Sequence, residues 1–343
     1  MQIDALRFNA VYGLIALIIG LVATIVLALS IGRYEVPITH VSQILLAQAG
    51  WFQQSLNTIE QQVIVDIRLP RVLLAGIIGA GLALAGAALQ SLLRNPLADP
   101  QILGVSSGAA FGGVLAILVI AEGWPFIVGA FIFGLLALVM VFWLAGGLSS
   151  QNGTLMLVLA GLVVSALFSA GVSLIKFVAD PQNELPAIVY WLLGSLAGAN
   201  YDRLQIAAPF ILFGILIIFA LRFHLSALSM GEQDAKSLGV PVTKVKLLTL
   251  LAVGLIVAAA VAASGIIGWV GLVIPHLVRL AFGANHKTFF FSVATLGALY
   301  LILVDTLARS VTTAEIPLGA LTALIGAPIF AMLLVKLRKT GHA

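Results

Sequence analysis

Residues 71–92 read RVLLAGIIGAGLALAGAALQSL, a stretch in which only the first residue carries a charge. A helix of about 20 mostly apolar residues is long enough to cross the hydrocarbon core of a bilayer. Membrane strands would instead show about 9–11 residues of alternating polarity, and this run is uniformly apolar. The stretch therefore predicts a helical membrane span, and the rest of the chain can be compared with it.

Apolar runs of the same kind recur along the whole chain. Hydrophobic residues make up 62% and charged residues 9% of it, against roughly 45–50% and 25% in a soluble domain. We therefore expect an all-α integral membrane protein with ten spans, near residues 10–31, 71–92, 104–121, 125–147, 154–178, 204–222, 246–264, 266–282, 289–308 and 318–336.

The distribution of lysine and arginine predicts the orientation. Cytoplasmic loops carry an excess of these residues, and an even number of spans puts both termini on one side. With both termini in the cytoplasm, the inner ends and loops hold Arg7, Arg94, Arg222, Lys236, Lys244, Lys246, Arg279, Lys287, Lys336, Arg338 and Lys339. The outer side then holds the smaller set of Arg33, Arg68, Arg71, Lys176, Arg203 and Arg309.

The connections between the runs contain no separate soluble domain, so residues 1–343 are expected to form a single transmembrane domain. An outer segment, 32–70, includes an amphipathic stretch at 41–47, and residues 179–203 are expected to form a short interfacial helix outside. A cytoplasmic segment, 223–245, is polar and compatible with a short helix. Glycines within the runs favour close packing of neighbouring helices.

Motifs for catalysis are absent from the sequence. There is no cysteine, no phosphate-binding loop and no His-Glu-x-x-His or Gly-x-Ser-x-Gly motif. We also find no paired intramembrane carboxylates and no basic cluster for nucleic acid. The sequence therefore gives no support to an enzyme, a metal site or a nucleic-acid-binding protein. Asp305 and Arg309, four residues apart, favour a structural ion pair.

Five stretches in chain order carry a family resemblance. They are RLPR at 68–71, RNPLADPQILGVSSGAA at 94–110, GEQDAKSLGV at 231–240, GWVGLVIPH at 268–276 with Arg279, and EIPLG at 315–319 continuing to GAP at 326–328. Together they closely resemble the FecCD/BtuC family, the permease subunits of type II ABC importers for vitamin B12, haem and ferric siderophores. The resemblance extends from about residue 60 to the C-terminal end.

The resemblance implies a homodimer in the bacterial inner membrane, surrounded by lipid, with a pathway on the two-fold axis. Two separate ATP-binding-cassette subunits would hydrolyse ATP with Mg²⁺, so this chain itself would bind no cofactor and catalyse no reaction. A periplasmic substrate-binding protein would deliver the cargo. The family carries chelates such as haem, ferric siderophores and cobalamin, and also oxyanions such as molybdate.

Particular residues acquire expected roles through the same resemblance. Arg68, Arg71 and Arg309 look like the outer arginines that receive carboxylates of the binding protein, and arginine pairs with carboxylates in bidentate fashion. An interfacial anchoring role is the alternative. Residues 231–239 look like the coupling helix that contacts the ATPase, through Gly231, Glu232, Asp234, Ala235, Leu238 and Gly239.

The fifth span resembles the helix that lines the pathway. Its cytoplasmic end, at Asn152 and Thr154, is expected to form the inner gate, although either residue suits a plain helix N-cap equally well. A small and apolar exposed face is expected to line the pathway, through Gly161, Ser165, Ser169 and Ser173 with Ala160, Ala166 and Ala170. A secondary transporter or channel that needs no ATPase is the alternative function.

Overall fold

The computed structural model describes residues 10–48, 50, 58–120, 124–146, 153–283 and 287–339. Its helices, in chain order, are α1 (Ala10–Ser30), α2 (Ile38–Gln48), α3 (Thr58–Gln62), α4 (Leu69–Leu93), α5 (Val105–Ile120), α6 (Trp124–Leu144), α7 (Gly153–Val178), α8 (Glu184–Leu192), α9 (Tyr201–Met230), α10 (Glu232–Ser237), α11 (Val242–Ser264), α12 (Val270–Phe282), α13 (Phe289–Ser310) and α14 (Leu318–Lys339).

Each of the ten predicted apolar runs corresponds to one of these helices, which confirms the all-α membrane fold. Within the described ranges, seven helical stretches are long and apolar enough to cross a membrane. The three shorter apolar helices are α5, α12 and α14. The helices α2 and α8 coincide with the two stretches predicted to lie outside the spans, and α10 lies in the predicted cytoplasmic segment.

Two helices, α4 and α11, form the centre of the bundle. About 78% of the apolar window of each is buried inside the protein. The helix α4 packs against α9, α11, α12 and α13, and α11 packs against α5, α6 and α9. The peripheral helices α1, α6, α7 and α9 turn many large apolar side chains outward. Such a distribution is stable only where lipid replaces water as the solvent.

Small residues allow the central helices to approach closely. A Cβ atom at Gly86 of α4 would lie 1.8 Å from the carbonyl oxygen of Gly271 in α12, and one at Gly79 would lie 2.3 Å from that of Gly297 in α13. A side chain at either position would push the backbones apart. The packing interpretation of these glycines is therefore confirmed, and it explains how α4 can contact so many neighbours.

The helix that contains the second apolar run begins earlier than predicted. The chain is helical without a break from Thr58 to Leu93, and residues 63–68 form a π-helical turn. Pro70 has no N–H to donate, so it cannot make the usual helical hydrogen bond. The preceding turn is wider than an α-helical turn, and its last hydrogen bond runs from Leu69 N–H to the carbonyl of Ile64. Arg68 therefore lies within the helix, whereas the predicted span began only at Arg71.

Candidate functional site

A cluster of charged side chains joins the start of α4 to the end of α13. Arg71 donates from Nε to both carboxylate oxygens of Asp305, at 3.1 and 3.0 Å, and from Nη2 to Oδ1 at 2.9 Å. Its Nη1 and Nη2 atoms also donate to Glu315, at 3.0 and 2.9 Å. Arg71 thus bridges two carboxylates. The ion pair predicted between Asp305 and Arg309 is present at 3.8 Å, but Asp305 is held more closely by Arg71.

The other two arginines donate hydrogen bonds to backbone carbonyl groups at or just beyond the C-terminal end of α1. Arg68 donates to the carbonyl of Ser30 at 2.9 Å and also to those of Leu29 and Tyr34. Arg309 donates to the carbonyl of Ala28. The last carbonyls of a helix have no partner within the helix, and cations near them are stabilising. These guanidinium groups therefore anchor α1 to the ends of α4 and α13.

All three predicted docking arginines are buried, at 5–8% exposure. The side chain of Glu315, at 21% exposure, is the most accessible carboxylate of the cluster. Burial raises the pKa of Glu315, but its hydrogen bond to Arg71 and the charges of Arg71, Arg33 and Arg309 outweigh this, so the pKa lies below its ordinary value. Glu315 therefore stabilises the fold at neutral pH, and this stabilisation is lost as pH falls through the lowered pKa. Docking through the arginines stays a prediction.

The predicted coupling residues form a compact element at the opposite end of the bundle. The short helix α10 follows Gly231 directly and connects α9 to α11. Ala235, on the inner face of α10, is fully buried, whereas Leu238 is 66% exposed and Gly239 is also exposed. Asp234 is exposed on the same helix. A single exposed apolar side chain is ordinary on a protein surface, so the contact of this element with another protein stays a prediction.

An ion pair holds this short helix against α11. Lys246 of α11 pairs with Glu232 of α10, and the lysine side chain is only 6% exposed. Burying a lysine is costly unless a counter-charge accompanies it. The pair therefore fixes α10 to a central helix of the bundle, so movement of α10 is expected to move α11 with it.

The face of α7 that was predicted to line the pathway is only partly exposed. Ser169 and Ser173 are exposed and Ser165 is half-buried. Gly161 is buried against the connection before α5, where a Cβ would lie 2.0 Å from the carbonyl oxygen of Ile102. The prediction that Gly161, together with buried Ala160, lies on the exposed face is therefore wrong. Leu162 and Leu167 are also exposed on α7, so its exposed surface is apolar but carries larger side chains than predicted.

The predicted gate is only partly described. Asn152 lies outside the described residues, and of Thr154 only its position in the first turn of α7 is described. Among the described residues, no group of three or more histidines, aspartates or glutamates could hold a metal ion.

A cavity of about 580 Å³ lies where several helices are interrupted, and sequence reasoning did not identify it. Its walls come from the connection before α5, the end of α8, the break between α11 and α12, and the start of α14. The lining residues are Asp99, Gln101, Ile102, Leu192, Leu193, Ile266, Gly268, Trp269, Leu272, Gly319 and Ala320.

The interrupted backbones next to the cavity bond to one another. Ser195 N–H donates to Ser264 at 2.8 Å, and Leu318 N–H donates to Gly194 at 2.8 Å. Gly265 has φ of +70°, and a Cβ there would lie 2.2 Å from the carbonyl of Trp191. Non-helical backbone at membrane depth occurs where it is buried in protein or lines a water-filled cavity. The glycines at 265 and 268, inside one apolar region, were the sequence signal for this break.

Comparisons with known proteins agree with this architecture. Residues 20–336 match the FecCD transport family. The chain is 45% identical over 329 residues to the molybdate import system permease protein MolB of Haemophilus influenzae, covering 96% of each chain. It is 39% identical over 292 residues to the hemin transport system permease protein HmuU of Yersinia pestis, covering 83% of this chain and 86% of HmuU.

A solved structure has a similar fold. It is an inward-facing conformation of a metal-chelate type ABC transporter, with a TM-score of 0.84 and 42% sequence identity. The match covers 94% of this chain and 99% of the other. The two chains therefore share the same overall arrangement of helices.

Proposed function

The chain belongs to the FecCD transport family, and we propose that it is the membrane-spanning subunit of an ABC importer that passes its cargo inward by alternating access. In this proposal two copies form a homodimer in the bacterial inner membrane, and two separate ATPase subunits bind on the cytoplasmic side. A periplasmic binding protein brings the cargo. The observation that carries the proposal is the family match over residues 20–336.

The short helix α10 is the proposed contact with the ATPase. It presents exposed Leu238 and Asp234, and it is tied to α11 through Glu232 and Lys246. Closure of the ATPase on binding ATP would move α10 as a rigid body, and the ion pair would pass this motion to the centre of the bundle.

The charged cluster at the other end is the proposed docking site for the binding protein. Since Glu315 already occupies part of the guanidinium group of Arg71, a carboxylate of the binding protein would reach Arg71 by displacing Glu315. Glu315 also precedes α14, so its displacement would free the start of that helix. Docking at the outer face would in this way be linked to movement of a span.

Glu315→Gln tests this displacement. The substitution removes the competing charge and leaves the other carboxylate, Asp305, in place. We expect the binding protein to dock about fivefold more tightly, a gain at the lower end of typical coupling effects between sites. Affinity would be measured by surface plasmon resonance on permease reconstituted in nanodiscs.

Glu35→Gln is the control for a general change of charge, because Glu35 is exposed close to the end of α1. An equal gain in both variants would attribute the effect to net charge alone. Unchanged or weaker docking in Glu315→Gln would contradict the displacement.

Molybdate is the first cargo to test, because the relative that is 45% identical over 96% of this chain is a molybdate permease. The wider family makes haem, ferric siderophores and cobalamin the next cargoes to test. The exposed parts of α7, with Ser169 and Ser173, are the proposed pathway wall, and its inner end at Asn152 and Thr154 is the proposed gate.

Uptake into proteoliposomes tests the proposed function. The chain would be co-expressed with candidate ATPase and binding-protein subunits, purified as a complex and supplied with ATP inside the vesicles. We expect the ATPase to co-purify and one of the four cargoes to accumulate only when ATP and the binding protein are present. Failure of any ATPase to assemble, with uptake that needs no ATP, would support a secondary transporter or channel instead.

A further inference from the structure

A different cavity, of about 550 Å³, lies at the outer ends of two peripheral helices. Its walls come from the start of α6, the start of α9 and the connection that precedes α9. The volume lies within the roughly 300–1,000 Å³ of small-molecule sites. Asp202 and Arg203 contribute a carboxylate and a guanidinium group, and Ile127 and Ile206 contribute an apolar wall. The cavity therefore offers both signs of charge beside an apolar surface.

A glycine positions the guanidinium group of this cavity. A Cβ atom at Gly198 would lie 2.7 Å from Nη1 of Arg203 and 2.8 Å from its Cζ atom, so a larger residue there would displace the group. The side chain of Asn200 is engaged in capping α9, because it accepts a hydrogen bond from Arg203 N–H at 2.8 Å. A guanidinium group has five N–H donors. An anion in the cavity can therefore bind Arg203 alongside other partners, as two carboxylates do at Arg71.

The two charges of the cavity point in different directions from α9. Adjacent residues of a helix do not face each other, and yet Asp202 and Arg203 both line the cavity. Asp202 is exposed and Arg203 is half-buried. A ligand that carries an anion and a cation a few atoms apart would meet each charge with its opposite. The arrangement is complementary to a phosphate joined by a short chain to a primary ammonium group.

Below the cavity, α6 and α9 present an apolar surface to the membrane. Phe131 of α6 packs against Phe210 of α9, with 4.5 Å between ring centroids. Phe210 is 39% exposed and Phe213 is 58% exposed, about two to three helical turns further along α9 than the charges. Only 33% of the apolar window of each helix is buried inside the protein. Lipid chains solvate such a surface, so the charges lie at headgroup level above it.

We propose that this cavity binds the headgroup of a phosphatidylethanolamine molecule of the outer leaflet. Arg203 binds the phosphate, since a guanidinium group pairs with phosphate oxygens in bidentate fashion. Asp202 accepts hydrogen bonds from the ammonium group, which has three N–H donors. The acyl chains lie on Phe210 and Phe213. The inference goes beyond the proposed import function, because the site requires neither cargo nor an ATPase.

Native mass spectrometry of the full chain in detergent tests the chemistry of the site. The titrants are phosphatidylethanolamine, phosphatidylglycerol, which has no cation, and phosphatidylcholine, whose ammonium group has no N–H, all with the same acyl chains. We expect phosphatidylethanolamine to bind about fivefold more tightly than the other two, the upper effect of one partly exposed ion pair. Asp202→Asn should remove this preference, and Arg203→Gln should weaken the binding of all three lipids about fivefold.

Glu35→Gln and Arg33→Gln are the matched controls, because both residues are exposed on the outer side and lie apart from the cavity. They should leave the affinities and the preference unchanged. Equal affinity of the unaltered chain for the three lipids would overturn the inference. A preference that survives in Asp202→Asn, or a loss of equal size in the controls, would overturn it as well.

A fluorescent label tests the location of the lipid. Gln205→Cys introduces the single thiol of the chain, at an exposed residue of the cavity lining. Phosphatidylethanolamine with a nitroxide near the headgroup end of one acyl chain, in phosphatidylcholine nanodiscs, should quench this label more strongly than one at Val311→Cys. Val311 is exposed at the outer end of α13. Unlabelled phosphatidylethanolamine should relieve the quenching, whereas equal quenching at both positions would contradict the assigned site.

Two further measurements address other occupants of the cavity. We expect Arg203→Gln to dock the binding protein as well as the unaltered chain does. A loss of docking with unchanged lipid affinity would overturn the inference and assign the cavity to the binding protein. A disulfide between two copies of Gln205→Cys would overturn it too, because a second copy of the chain would then cover the cavity.

Discussion

Replacing Arg71 with methionine is expected to lower the midpoint of thermal unfolding in detergent by on the order of 10 °C. Arg71 is the principal partner of Asp305, whose side chain is 1% exposed. Removing one member of a buried ion pair leaves the other charge unpaired and typically costs about 3–5 kcal/mol. The same change also removes both hydrogen bonds to Glu315. The midpoint would be measured by size-exclusion chromatography of heated samples.

Arg33→Met is the matched control, because Arg33 is exposed and its guanidinium donates to a carbonyl at Thr313. Adding Asp305→Asn to the Arg71→Met variant should recover part of the lost midpoint, since it removes a buried charge whose remaining partner, Arg309, lies 3.8 Å away. A midpoint for Arg71→Met equal to that of the control would show that the ion pair does not stabilise the fold. Loss of transport in an Arg71 variant is therefore no measure of docking unless stability is measured as well.

Breaking the pair between Glu232 and Lys246 is expected to reduce cargo uptake per ATP hydrolysed by roughly five- to tenfold, a typical coupling effect. The short helix α10 has one ion pair to α11, and Lys246 is buried. Without that link, ATP-driven movement of α10 would be carried to the central helix only through the short connection 238–241, and therefore less rigidly. Uptake and ATP hydrolysis would be measured in the same proteoliposomes for Glu232→Gln and Lys246→Met.

The charge-reversed double variant, Glu232→Lys with Lys246→Glu, should restore part of the cargo uptake per ATP hydrolysed, because opposite charges meet again. Lys236→Met serves as control, since Lys236 is exposed on α10. If the single variants keep the full ratio of cargo uptake to ATP hydrolysis while the ATPase remains bound, the ion pair has no part in transmitting the motion of α10 to α11. If the ATPase dissociates, Glu232 and Lys246 act in assembly instead.

Local sequence was sufficient for the spans and for the family. Apolar runs of span length leave a bilayer as the only suitable solvent, so the ten helices could be located without knowledge of their neighbours. The motifs at 94–110 and 231–240 are contiguous in the chain, and contiguous motifs can be recognised directly. The same holds for the polar segment that forms α10, since its flanking residues Gly231 and Gly239 are visible in the sequence.

Tertiary structure alone decided the partners of the charges and the shape of the cavity. Spacing favoured Arg309 as the partner of Asp305, but Arg71 lies 234 positions away in the chain and holds it more closely. Pairing of this kind depends on which helix ends meet, and local periodicity carries no information about that. The cavity around Gln101 likewise arises where four separate segments stop being helical, and only their packing brings these breaks together.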